Sequence, residues 1–544
     1  MNKHTAALLE QHFDTAFAAP DGIKKLRELI LTLAMQGKLV PQDPNDPPVS
    51  ELLKDIETEK KRLVKDGKIK VPKPLPPVMV EEMPYALPQG WKWVRFGEIA
   101  QHNSGKTLDK GRNTGLPRDY ITTSNLYWGR FELASVRQML IREEELEKCS
   151  AKKNDLLICE GGEAGRAAVW DYESEVCFQN HVHRARFYGN VDPYLAYRFF
   201  EKLNATGEIN QHRKGVGISN MSSAVLASII FPLPPLSEQH RIVAKIDQLM
   251  ARCDALKNLR NEREKKRLAT HAAALSQLLD TTGNGSADDA WVFITQHFGD
   301  LYAVKENVTE LRKAILQLAI AGRLTESMDS SPARKSISKS SDKPFTIPVH
   351  WNWVPLQAIS DQSRGITYGI VKMGGEPSHG GVFALRCSDV KYRELDLSSV
   401  RRVSSEISDQ YSRTVLKGGE LLLNIRGTLG GCVVVPESIA GYNIAREIAL
   451  IPLNDKAHAD YILNVISSPY FTEATNSNLR GIAYKGLNLG TLSSFLVPLP
   501  PKDEQMLIVE KVNHLLALCN VLESRIDSAS GKQAELLRAV MAQV

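Results

Sequence analysis

Several short patterns in this chain carry residue types that perform chemistry in other settings. Ser104-Gly105-Lys106-Thr107 ends like a phosphate-cradling loop. That loop also needs a glycine five residues before Gly105, where the chain has Ala100. Asp46-Pro47-Pro48-Val49 carries three residues of a motif whose fourth, aromatic, residue stacks on an extruded base, and Val49 has no ring to stack. Gly161-Gly162-Glu163-Ala164-Gly165 and Gly215-Val216-Gly217 lack the Gly-x-Gly-x-x-Gly spacing that binds a dinucleotide, and read as turns. His181-x-His183 puts two imidazoles on one strand face without a third ligand at metal spacing. The seven cysteines are scattered and never form Cys-x-x-Cys. No nucleotide cofactor, metal or activated nucleophile is indicated, which points away from an enzyme.

The elements that must position these residues occur twice. Gln11-His12-Phe13, Leu26-Arg27, Leu33-Ala34 and Gly37-Lys38-Leu39 recur as Gln296-His297-Phe298, Leu311-Arg312, Leu318-Ala319 and Gly322-Arg323-Leu324 in one unbroken register. Leu87-Pro88 and Trp91-Lys92-Trp93-Val94 recur as Ile347-Pro348 and Trp351-Asn352-Trp353-Val354. Pro232-Leu233-Pro234-Pro235 with Glu238-Gln239 recurs as Pro498-Leu499-Pro500-Pro501 with Glu504-Gln505. A repeat of this kind fixes the architecture before any single motif does. Between each Trp-x-Trp opening and its proline-rich exit, short apolar runs such as Leu156-Leu157-Ile158 and Leu421-Leu422-Leu423 predict strands followed by Gly-rich turns.

After each exit the period changes to a heptad. Ile508, Val512, Leu515, Cys519, Leu522 and Ile526 mark one seam; Ile242, Ile246, Leu249, Cys253 and Leu256, then Leu268, Ala272, Leu275 and Leu279, mark the other. The predicted fold class is α+β. Two mixed α/β domains, 87–235 and 347–501, are separated by long helices forming an antiparallel coiled-coil spacer. Around them lie an N-terminal helical region with a Pro-rich linker (1–86), a central helical spacer (236–325), a flexible linker (326–346) and a C-terminal helix (502–544). Because the first block reappears centrally and the exit helix reappears at the end, the order is permuted, and a pseudo-twofold arrangement follows. An amphipathic helix packed on its own domain also satisfies the heptads. A charged helix near 49–66 has no second copy and reads as a solvated helix or a partner-docking element.

Hydrophobic residues make up 43% of the 544 positions and charged residues 24%, the balance of a soluble globular chain. No run of about 18 apolar residues and no export signal is evident, and the unpaired cysteines suit a reducing cytoplasm. The net charge of +5 is too diffuse to argue nucleic-acid binding on its own.

Taken together, the paired Trp-x-Trp openings, the paired Pro-Leu-Pro-Pro exits with Glu-Gln, the Leu-Arg-Glu-Leu-Ile-Leu segment at 26–31 running on to Gly37-Lys38-Leu39, and the permuted order resemble the specificity subunit of type I restriction-modification systems. The resemblance implies a bacterial or archaeal, non-catalytic subunit whose two target recognition domains each read half of a bipartite double-stranded DNA target. It also implies docking of two methyltransferase subunits and, in the full complex, two restriction/translocase subunits. S-adenosylmethionine, ATP and Mg would belong to those partners, with no cofactor in this chain.

Base readers must project from turns and strand ends into the major groove. In the first domain the candidates are Lys106, Arg112, Thr122, Asn125, Arg166, Asn180, His181, Arg184, Arg213 and Lys214. In the second they are Arg364, Tyr368, Lys372, Arg386, Asp389, Arg426, Asn443, Arg446, Arg480, Tyr484 and Lys485. Two readings compete with DNA recognition: an adaptor with two ligand-binding domains on a coiled-coil rod, and an enzyme with an unrecognised active site.

Overall fold

In a computed structural model of the chain, the described residues are 13–15, 17–109, 111, 113–214, 219–280, 286–324, 343–427, 430–479 and 486–542. The chain divides into two compact units, Met1–Asn261 with Ser530–Val544, and Glu262–Ala529.

In each unit the opening and exit of the repeat meet as a two-stranded antiparallel ribbon. Lys92–Arg95 pairs with Ile230–Leu233, Trp93 opposite Pro232; Asn352–Pro355 pairs with Leu496–Leu499, Trp353 opposite Pro498. A proline fits there because a ribbon edge does not need its missing N–H. The exit then turns directly into a long helix, Leu236–Leu279 in one case and Lys502–Met541 in the other.

The paired glutamines close the domain onto its helix. Gln239 Oε1 accepts from Asp192 N at 2.9 Å while its Nε2 donates to Pro234 O; Gln505 does the same with His458 N at 2.7 Å and Pro500 O. Both glutamines are fully buried, so these bonds satisfy amide groups that water cannot reach.

The repeated glycines end a short helix under the first tryptophan. Gly37 and Gly322 adopt φ of 66° and 71°, and a Cβ on either would lie 2.3–2.5 Å from Pro88 or Pro348. Only glycine meets both demands.

Each domain holds a four-stranded antiparallel sheet. In the first its order is Ala167–Val169, Leu156–Cys159, Val182–Phe187, Ala100–Ser104; in the second it is Thr367–Tyr368, Ile448–Ile451, Leu421–Asn424, Cys432–Val434. A further sheet in each contains one parallel pair: Leu116–Ile121 with Val176–Phe178, and Val382–Leu385 with Asn443–Ile444. The predicted apolar strands lie at the centre, with Leu156, Leu157, Ile158, Leu421 and Leu422 all fully buried.

Most heptad residues are packed within their own units, but Leu268 and Ala272 of the expected seam are exposed. Ile242, Ile246 and Cys253 belong to the core of the first domain, together with Leu31 and Met35 of the helix Gly22–Met35. Ile508, Val512 and Cys519 belong to the core of the second, together with Leu316 and Ile320. Arg27 reaches Asp254 at 2.5 Å, and its counterpart Arg312 reaches Asn520 at 2.6 Å.

The permuted ends are packed in the same manner. Leu537 is buried with Phe17 and Leu29 in the first unit, and in the second His271 Nε2 lies 3.0 Å from Tyr302 Oη. The charged helix Val49–Lys65 is not solvated all round. It buries Val49, Leu52 and Ile56 in the first domain's core, and Glu59 Oε2 accepts from Gly189 N at 2.7 Å. Of the expected flexible linker, residues 326–342 lie outside the described residues.

Candidate nucleic-acid interface

Backbone hydrogen bonds gather several loops at one end of the first domain's four-stranded sheet. Lys106 N donates to Phe178 O at 3.0 Å, Asn180 N to Lys106 O at 3.0 Å, and Glu160 N to His181 O at 2.8 Å. Met221 N donates to Glu160 O, and a short ribbon pairs Ser219–Asn220 with Gly161–Gly162. Lys214 and Asn220 exchange both of their backbone bonds. Residues 104–106, 160–166, 179–181, 213–214 and 219–221 thereby form one surface.

The second domain repeats this wiring. Ile370 N donates to Ile444 O, Arg446 N to Ile370 O, Ile425 N to Glu447 O, and Leu487 N to Ile425 O. Arg426 bridges Gly486 as Gly161 pairs with Asn220. The matched positions are Asn180 with Arg446, His181 with Glu447, and Gly161 with Arg426. Arg426 and Arg446 are exposed, as are His181 and Lys214. The scaffold is shared and the chemistry it displays is not.

The candidate side chains divide sharply by environment. Asn180, His181 and Lys214 lie on the first surface; Tyr368, Lys372, Arg426 and Arg446 project from the second domain. Lys106 is there too, but its Nζ donates to Glu145 Oε2 at 2.5 Å. That bond, helped by the Arg142 backbone and side chain, pulls the Glu145 carboxyl down to about 2. Arg166 donates to Glu163 at 3.0 Å and to Thr123 O at 2.6 Å, and Arg213 donates to Ala164 O at 2.8 Å and Asn210 at 3.0 Å.

Five candidates are buried and work inside the domain, which corrects the expectation that they project outward. Arg184 is fully buried, bonded to Ser150 O at 2.6 Å, Glu147 O at 3.0 Å and Asn103 Oδ1 at 2.8 Å, and burial lowers its pKa to about 10. Arg364 donates to Glu420 at 2.5 Å and Val415 O at 2.7 Å. Asn443, fully buried, accepts from Thr414 Oγ1 at 2.6 Å. Asn125 and Asp389 are buried turn formers: Asn125 Oδ1 accepts from Thr122 N at 3.0 Å, and Asp389 Oδ2 accepts from Arg386 N at 2.8 Å. Thr122 and Arg386 are drawn into the same turns. Arg112, Arg480, Tyr484 and Lys485 lie outside the described residues, as do Gly215-Val216-Gly217.

Sequence reasoning missed what those turns hold up, a hairpin at 126–131 and its copy at 390–395. Gly129 is the one signal in the first turn, and the second, Tyr392-Arg393, carries none. His183, paired in sequence with His181, is fully buried instead, its Nε2 2.8 Å from Met221 O. Among the described residues no group of three or more His, Cys, Asp or Glu side chains is placed to hold a metal ion. No described helix is long and apolar enough to cross a membrane.

Two repeated domains with this wiring can be compared with known proteins. The family described as the type I restriction modification DNA specificity domain matches residues 88–265 and 385–529, more than half of the chain. The chain belongs to this family. Among its relatives in the family, the type I restriction enzyme EcoAI specificity subunit of Escherichia coli is 26% identical, the match covering 95% of this chain and 93% of that one. The EcoEI specificity subunit of Escherichia coli is 28% identical over the same shares. The EcoBI specificity subunit is 29% identical, with 61% of each chain matched. The matched segments contain both exit strands, both Glu-Gln pairs and most of both displayed surfaces.

Proposed function

We propose that this chain is the DNA sequence-recognition subunit of a type I restriction-modification complex, each of its two domains, 87–235 and 347–501, reading one half of a bipartite, asymmetric target. The observation that carries the reading is the matched pair of loop surfaces. Identical backbone wiring displays Asn180, His181 and Gly161 in one domain and Arg446, Glu447 and Arg426 in the other. Two readers of different sequences need a common frame and different donors and acceptors, because each base pair shows its own pattern in the major groove. Asn180, His181, Lys214, Tyr368, Lys372, Arg426 and Arg446 are the DNA-facing residues in this reading.

The chain itself is non-catalytic here. Methylation and cleavage, with S-adenosylmethionine, ATP and Mg, belong to two methyltransferase subunits and two restriction/translocase subunits. The long helices act as an antiparallel spacer in a pseudo-twofold arrangement and dock the methyltransferase subunits. The repeated Arg27–Asp254 and Arg312–Asn520 contacts tie each long helix to the short helix of its own unit.

The test is to assemble the chain with its methyltransferase subunits, expose random-sequence duplex DNA to the complex, and sequence the modified adenines. A two-part motif with a fixed gap is expected. Modification without a sequence motif, or modification by the chain alone, would overturn the reading.

A further inference from the structure

We propose that the hairpin at 126–131 and its counterpart at 390–395 are base-reading elements, with Arg130 directed to a guanine in one half-site and Glu394 to a cytosine in the other. The proposal rests on the DNA-recognition reading above and adds to it a part of each domain outside the shared loop surface.

The two hairpins have one frame. Leu126 pairs with Phe131 and Tyr127 with Arg130; Val390 pairs with Leu395 and Lys391 with Glu394. Each is closed by a two-residue turn whose second residue, Gly129 or Arg393, has φ of 67° or 60°.

The base of each hairpin is fixed by the same bonds. Glu132 N donates to Asn125 O and Asp396 N to Asp389 O, both at 2.8 Å. The buried Asn125 and Asp389 side chains cap the preceding turns, while Leu126 and Val390 are buried beneath.

What the frame holds outward differs completely. Tyr127 and Arg130 are exposed in the first copy, Lys391 and Glu394 in the second. Each hairpin adjoins the loop surface already described. In the first domain two guanidinium groups approach the Tyr127 ring, Arg130 at 4.6 Å and Arg166 at 5.4 Å from its centroid, and Arg166 belongs to the 160–166 loop. Trp128 Nε1 donates to the Glu163 carboxylate that also binds Arg166. In the second domain Asn424 Nδ2 donates to Val390 O at 3.0 Å and Cys387 O at 2.9 Å, two residues before Arg426.

A two-stranded ribbon fits the major groove, roughly 12 Å wide, where Arg pairs with the O6 and N7 of guanine and a carboxylate accepts from the N4 of cytosine. Glu394 also separates base reading from simple backbone binding. A carboxylate at a phosphate contact would be repelled, whereas at a cytosine it is a specific acceptor.

The experiment selects bound sequences from a random duplex pool with the chain assembled with its methyltransferase subunits, comparing wild type with Arg130→Ala and Glu394→Ala. Both side chains are exposed, and unchanged thermal melting establishes that the variants fold. Arg130→Ala is expected to lose discrimination roughly tenfold or more at one guanine of one half-site. Glu394→Ala is expected to do the same at one cytosine of the other, each leaving the opposite half-site intact. An unchanged motif in either variant overturns the proposal, as does a uniform loss of affinity with the motif preserved, the mark of a phosphate contact. A wild-type selection without any two-part motif would instead refute the DNA reading on which the proposal rests.

Discussion

Trp91 donates its indole N–H to Glu238 Oε2 at 2.9 Å, and Trp351 repeats the bond to Glu504 Oε2 at 3.1 Å. In both units this bond ties the opening of the domain to the first turn of the helix that leaves it. Glu238 is nearly fully buried and also accepts from Gln42 Nε2 at 2.9 Å. His350 takes the second place beside Glu504 at 2.8 Å.

Removing this carboxylate leaves a buried indole N–H without its acceptor. Hydrogen bonds to charged groups contribute about 1.5–3 kcal/mol, so Glu238→Ala should lower stability by about that amount. Denaturant melting of the single variants should give similar losses for Glu238→Ala and Glu504→Ala. A loss under about 0.5 kcal/mol for Glu238→Ala would mean that the clasp is not a stabilising bond.

Arg184 and Arg446 lie in opposite environments, one buried and one exposed. Arg184 is sealed beneath the helix Glu143–Cys149, holding the carbonyls of Glu147 and Ser150. Arg184→Met strands those acceptors and should destabilise the fold by about 2–4 kcal/mol, seen as a lower melting temperature. Arg446 is exposed, so Arg446→Ala should leave the melting temperature within a degree or two while weakening DNA binding. The form of the weakening matters: a fall of about 0.9 in the salt slope marks a phosphate contact, and a loss of preference at one base marks a reader.

The same contrast explains what was legible in the sequence. The repeat and the change of period after each proline-rich exit are written in the sequence, and a long helix follows each exit; that the Trp-x-Trp openings and the exits pair as strands was not. Arg184 and Arg364 could not be told from surface arginines, because the carbonyls and carboxylate that bury them lie 34–56 residues away. Asn125 and Asp389 differ in chemistry yet serve the same turn in the two domains, since an amide and a carboxylate oxygen accept the same backbone N–H. The heptad stripe likewise signals burial without naming the partner. Its first turns face the domain and the short helix crossing it.

Lys106 and Glu145 give a pH signature to the first surface. The Glu145 carboxyl, held near 2 chiefly by the Lys106 ammonium, titrates near 4.5 once the chain unfolds. A carboxyl depressed by folding stabilises the fold above its unfolded pKa, and that contribution is lost as pH falls from about 4.5 towards 2. Lys106→Met should raise the Glu145 midpoint and remove part of this dependence, read by carboxyl-resolved NMR titration. An unchanged midpoint would show that the backbone and side chain of Arg142 hold the charge without Lys106.

The long helices allow the separation of half-sites to be tested independently of what is read. Leu236–Leu279 and Lys502–Met541 are the long helices that follow the two proline-rich exits. Inserting one heptad into each helix, after Arg263 and after Ala529, keeps the buried stripes in phase because seven residues restore the same face. At about 1.5 Å per residue the insertion lengthens each helix by roughly 10 Å, or about three base pairs of duplex at 3.4 Å each. Methylated-adenine sequencing with the assembled complex should then return both half-sites unchanged and a gap about three base pairs longer. The original gap, retained with full activity, would mean that the helices do not measure the target and that partner subunits set the spacing instead.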